Sequence, residues 1–116
     1  MSKFLVLYHV EGAGDGPSVA EMFANTPPEQ LEAGMKLWGA WLEKCGSAIV
    51  DAGAPLGQST SLTPGGSGPA KTTITGYAVL EAGSMDEAAA LMEGHPHFFA
   101  PGASIQVLEG VSMPGM

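Results

Sequence analysis

The chain reads as an α+β domain of order βαββαβ, with a four-stranded antiparallel sheet and both helices on one face. Three observations predict it. Two helix-start signatures stand in matching halves, Thr26-Pro27-Pro28-Glu29 and Ser84-Met85-Asp86-Glu87. In each, a hydroxyl can accept from the backbone N–H three residues on, and the glutamate can reach back to the cap. Each helix then meets a glycine, Gly46 or Gly94, suited to the left-handed position after a helix. Apolar runs rich in strand formers lie before and after both helices.

Residues 3–10, KFLVLYHV, are a continuous apolar run and read as a central strand buried on both faces. Residues 11–25 form a connection with a glycine-rich start. Its second half, Ser18-Val19-Ala20-Glu21, fits a further capping box and allows one helical turn through Phe23. This segment reads as a surface excursion, with a lid as the alternative. Residues 27–45 carry Leu31, Met35, Trp38, Leu42 and Cys45 at alternating spacings of four and three, the stripe of a helix facing a sheet. Leu37 and Trp41 lie beside that stripe and either extend the core face or meet another subunit. Residues 47–54 read as the second strand, ending at Pro55. Residues 55–71 are crowded with Gly, Pro, Ser and Thr and predict a mobile or hairpin-like connection. Residues 72–82, TTITGYAVLEA, are the clearest strand by composition. An alanine-rich helix follows over 85–93, then a stiff connection, HPHFFAPG, over 95–102. The alternating ASIQVLE of 103–109 closes the sheet.

This order is the ferredoxin-like arrangement. It leaves one sheet face uncovered, and two such sheets pressed together solve the problem, so a homodimer is expected. Composition agrees: 45% of the 116 residues are hydrophobic and only 14% charged, a lean supply of polar surface for one small domain spanning residues 1–116. The four cations are all lysines, and against twelve acidic residues they leave a net charge of −8. An acidic chain without arginine is poorly built to hold phosphate backbones, so nucleic acid is not expected as a partner. The single cysteine, Cys45, excludes an intrachain disulfide and fits a reducing cytoplasm. No segment reaches membrane-spanning length, and Met1–Val10 lacks the apolar stretch of a signal peptide.

The candidate site residues are few. His95 and His97 flank Pro96, and in an extended segment they would point the same way, able to carry a proton or bind a metal. The alternative is that one caps the end of the second helix while the other faces water. Phe98 and Phe99 would supply an apolar wall in either case. His9 ends the first strand and opens into a flexible loop, and Asp51 interrupts the apolar strand AIVDAGA. Pointing into a cavity, Asp51 would have a raised pKa and act as a base; pointing outward, it is solvated. Tyr8, Trp38 and Tyr77 are candidates for lining a ligand pocket, with core packing as the alternative role. No strand-bound GxGxxG, Walker loop, CxxC or HExxH occurs, so no cofactor is expected and no metal is assigned.

The segments KFLVLYHV, DAGAPLG, TGYAVLEAGSMDEAAAL and HPHFFAPGASIQVLEG together resemble the YCII-related family of the dimeric α+β barrel superfamily. The resemblance covers most of the chain outside residues 11–25 and 58–71. It implies a dimeric α+β barrel. Activities among related barrels include cofactor-free oxygenation, lactone isomerisation and heme chemistry, so the resemblance implies a fold more than a reaction. Family members carry a histidine on the first helix and an aspartate just before the proline that follows the second helix. Here the first helix has no histidine, and His95 precedes Pro96.

Two functions compete. One is a cofactor-independent enzyme acting on a small apolar or aromatic molecule, with His95 or His97 moving a proton and Asp51 or His9 assisting. The other is a non-catalytic dimeric module that binds a small ligand or a protein. Ionisable groups converging on a pocket favour the first.

Overall fold

A computed structural model describes residues 1–17 and 19–115. A four-stranded antiparallel sheet is built from β1 (Ser2–Val10), β2 (Ile49–Asp51), β5 (Ile74–Ala82) and β6 (Ala103–Glu109), in the spatial order β2-β5-β1-β6. The helices are α1 (Val19–Asn25), α2 (Pro28–Cys45) and α3 (Met85–Leu91). A second sheet of two strands, β3 (Thr60–Thr63) and β4 (Gly66–Pro69), is the hairpin within the 55–71 connection.

Strand alternation divides the main sheet into two faces. Phe4, Val6 and Tyr8 of β1 and Ala78, Leu80 and Ala82 of β5 are buried in one cluster with Trp41 and Cys45 of α2, Ala88 of α3 and Met92 just beyond it. α2 and α3 therefore cover the same face. β1 is central, paired with β5 on one side and β6 on the other, but it is not buried on both faces. Leu5, on the face away from the helices, is exposed. Among the described residues, the helices that pack on the main sheet lie on the face of Phe4, Val6 and Tyr8, and the chain measures 20 Å through its thin axis.

Several elements differ from their expected form. Thr26 does not cap α2. Pro27 precedes another proline, which disfavours helical geometry there, so Pro27 takes the cap position and Pro28 begins the helix. The Pro27 carbonyl accepts from the N–H groups of Gln30 and Leu31, while the Thr26 hydroxyl donates back to the Met22 carbonyl at the end of α1. In the first connection, α1 runs through Asn25, two residues past Phe23; Ser18, the expected cap, lies outside the described residues. α2 also sits rolled from its expected face. Leu31, Trp38 and Leu42 are partly buried and Cys45 buried, but Met35 is 73% exposed and Trp41 takes the deep position. The roll lets the Trp41 indole N–H donate to the Leu91 carbonyl at 2.9 Å, tying α2 to α3.

β2 has three residues rather than eight. Beyond Asp51 the chain turns at Gly53, which has φ +77°; a Cβ there would fall 1.7 Å from the Tyr77 carbonyl oxygen, so only glycine fits. Pairing with β5 resumes at Pro55 opposite Gly76, supported by Leu56 N–H donating to Thr75 O. α3 matches its cap: the Ser84 hydroxyl accepts from Glu87 N–H at 3.1 Å. The Glu87 carboxylate reaches one residue further back than expected, to Gly83 N–H. The helix ends at Leu91, and Gly94 takes φ +69° in the turn beyond it.

Candidate functional site

His95 and His97 are both buried, which neither expected arrangement anticipated. The reason is local. After Gly94 the chain does not run extended; His95 caps a short 3₁₀ turn over Pro96–Phe99, with Pro96 at its first position. The turn brings both imidazoles against Tyr8, at 5.0 and 5.1 Å from its ring, with their own planes 80° apart. His95 enters the core between the helices and the sheet, 1% exposed. Its ring lies 4.3 Å from that of Trp41, 4.5 Å from Trp38 and 5.0 Å from Tyr8.

Hydrogen bonds fix its protonation. His95 Nδ1 accepts from His97 N–H at 2.9 Å, so it carries no proton. In the neutral ring Nε2 then bears the hydrogen and donates to the Tyr8 hydroxyl at 3.2 Å. Burial, reinforced by neighbouring His97, pushes His95 down to about 4, because a charged imidazole is poorly solvated among three aromatic rings. Burial also holds the Tyr8 phenol well above its ordinary value, with Cys45 adding to the effect. The Cys45 thiol is raised by burial against an opposing pull from Lys44. At neutral pH this cluster is uncharged, aromatic and satisfied.

His97 Nε2 lies 2.9 Å from the backbone carbonyl of His9. A carbonyl only accepts, so His97 donates there. That bond links the helix-side cluster to the end of β1, where His9 faces the other way. The β1–β5 register shifts between Tyr8 and His9, and the shift brings Thr73 beside the imidazole. His9 Nδ1 lies 2.8 Å from Thr73 Oγ1, and Nε2 donates to Gln106 Oε1 at 2.9 Å. His9, Thr73 and Gln106 line an open depression of about 620 Å³ with Glu11, Ser104 and residues 102–103.

The remaining candidates are scattered. The Asp51 carboxylate is exposed; it accepts from Gly53 N–H at 2.8 Å and makes a long 3.4 Å contact with the Tyr77 hydroxyl. β5 separates it from β1, so it assists none of the histidines. Phe98 and Phe99 are exposed rather than walls of a histidine pocket. Phe99 instead joins Pro96, Leu37, Ala40 and Trp41 along a shallow groove of about 250 Å³ outside the helix layer. Trp38 and Tyr8 pack on His95. The depression is thus bordered by His9 and by neither His95 nor His97. Its partners Thr73, Ser104 and Gln106 were missed in the sequence. The alternation of ASIQVLE held the signal for two of them: with Ile105 and Val107 facing the core, Ser104 and Gln106 share the opposite face. Among the described residues, no group of three or more His, Cys, Asp or Glu side chains is arranged to hold a metal, and no helix is long and apolar enough to cross a membrane.

No protein-family profile matches the chain, and no curated protein matches it.

Proposed function

We propose that this chain is a YCII-related domain of the dimeric α+β barrel type that works in the cytoplasm as a homodimer and binds a small molecule without using His95 as a catalyst. The observation that carries the non-catalytic reading is that both imidazole nitrogens of His95 are hydrogen-bonded within the core. A general base needs a lone pair aimed at substrate. The lone pair of His95 is spent on His97 N–H inside the core, and the ring stays neutral far below pH 7.

The strand order β2-β5-β1-β6, antiparallel throughout, supports the ferredoxin-like reading. The apolar character of the open face supports the dimer: Leu5, Val50 and Leu108 are exposed there. An antiparallel sheet can leave one face to water, but apolar side chains on that face favour a cover, and a second copy is the simplest one. The open depression at His9, where an imidazole, an amide and two hydroxyls converge, supports ligand binding.

Light scattering at micromolar concentration, paired with a thermal-shift screen against small molecules, tests this function. The expected result is a dimer mass and hits that disappear in His9→Ala. A monomer mass, or hits that depend on His95 while ignoring His9, would overturn it.

A further inference from the structure

The open sheet face is sorted into zones. Leu108 pairs with Leu5, and Leu5 with Val79, forming an apolar row across three strands. One step along, Gln106 pairs with Leu7, and Leu7 with Tyr77; one step further, Ser104 pairs with His9. Along β1 the face therefore runs from the charged Lys3–Glu81 pair through an apolar middle, flanked by Asp51 opposite Val79, to the uncharged polar cluster of His9, Thr73, Ser104 and Gln106 with Glu11 at its border. Successive rows on one strand face are about 7 Å apart, so the His9 row lies about 14 Å from the Leu5 row.

That spacing decides what a second copy would do. A standard interface removes about 800 Å² from each partner, a disc of radius about 16 Å. A copy seated on the Leu5 row must extend over the His9 row. There the surface is recessed around the depression, so it would be spanned rather than filled. The depression also needs such a wall. Ligand sites bury most of their ligand's surface, and this one lies open to one side.

We infer that the His9 depression is one half of a ligand chamber whose other wall is a second copy of this chain, and that it takes a small hydrogen-bonding molecule without negative charge. The inference rests on the dimer proposed above. The ligand class follows from the lining. Imidazole, amide and two hydroxyls offer donors and acceptors, while Glu11 is the only carboxylate and no lysine is present. The chain's net charge of −8, doubled in a dimer, further repels anions. His9 is held for such a role: its Nε2 donates to Gln106 Oε1 and its Nδ1 lies 2.8 Å from the Thr73 hydroxyl, so both ring nitrogens are fixed by neighbours.

The experiment compares the wild-type protein with Leu5→Asp and Leu108→Lys, two changes on exposed positions of the open face. Each is sized by light scattering and treated with diethyl pyrocarbonate, with modification of each histidine read by mass spectrometry. In the dimer His9 should react about tenfold more slowly than in either monomeric variant. His95 and His97, buried in the protomer, should stay unreactive in all three and report that the variants are folded. NMR then follows the His9 and Gln106 signals of the wild type with xylitol as the neutral probe and acetate as the anionic one. Saturable shifts with xylitol, absent in the monomeric variants, are expected. Equal His9 reactivity in a confirmed dimer and its monomeric variants overturns the chamber while leaving the dimer standing. A monomeric wild type overturns the dimer itself and the chamber with it. Shifts with acetate, or none with xylitol, overturn the ligand class.

Discussion

Tyr8 and His9 are neighbours on one strand, and their side chains live in different solvents. Tyr8 faces the helices and meets His95, Trp38 and Trp41 in a dry cluster. His9 faces away, is partly exposed, and holds two polar side chains around a cavity. The helix-covered face has spent its polar groups on one another; the open face has kept its polar groups at a surface. The difference teaches that histidine content alone says little about chemistry here. Strand alternation assigns one imidazole to an open surface depression, and a 3₁₀ turn assigns two to the interior.

The largest effect expected from breaking this contrast lies on the covered face. Trp41→Ala removes a buried indole and its bond to Leu91, and should cost about 3–5 kcal/mol in denaturant unfolding. A loss under about 1 kcal/mol would show that the aromatic cluster is not the core's anchor.

Acid should act on the same face. Unfolded, His95 takes a proton near pH 6.5, whereas in the folded chain it does so only near 4. Between these values the unfolded state holds more protons, so stability falls as pH drops from 6.5 to 4 and levels off below. The full span is worth about 3 kcal/mol. Replacing His95 with Phe should flatten that part of the stability curve, whatever it does to the absolute value; an unchanged slope would remove His95 as its source.

The two helix starts sharpen a second contrast. Ser84→Ala should cost about 1 kcal/mol, because the hydroxyl accepts from Glu87 N–H. Thr26→Ala should cost less, about 0.5 kcal/mol, since its hydroxyl caps nothing in α2. Equal losses in urea melts would contradict the assigned start at Pro28.

The smallest effect belongs to the open face. His9→Ala breaks two side-chain bonds at a partly exposed site and should change protomer stability by about 1 kcal/mol or less. A loss as large as that of Trp41→Ala would make His9 a core residue in function.

How far the sequence foretold this molecule follows the same division. The apolar run KFLVLYHV and the alternation of ASIQVLE identified the strands, and Ser84 and Gly94 bracketed the second helix, because these signals are local. What stayed hidden depended on neighbours remote in the chain. The roll of α2 that buries Trp41 and frees Met35 is set by the Leu91 carbonyl, fifty residues away. The Thr26 signature misled because a proline pair shifts the helix start by one residue. His95 and His97 looked extended across Pro96, but proline also suits the first position of a 3₁₀ turn, and only the waiting aromatic cluster selects that form. The site partners of His9 come from β6 and from the residue just before β5, brought beside β1 by register, which spacing along one strand cannot show.

The central claim, that His95 is a neutral structural residue and not a proton carrier, is tested most directly by a pH titration of imidazole ¹⁵N shifts. The account predicts that at pH 5.5 His95 still shows a protonated Nε2 beside a proton-free Nδ1. A His95 ring carrying protons on both nitrogens at that pH would contradict it.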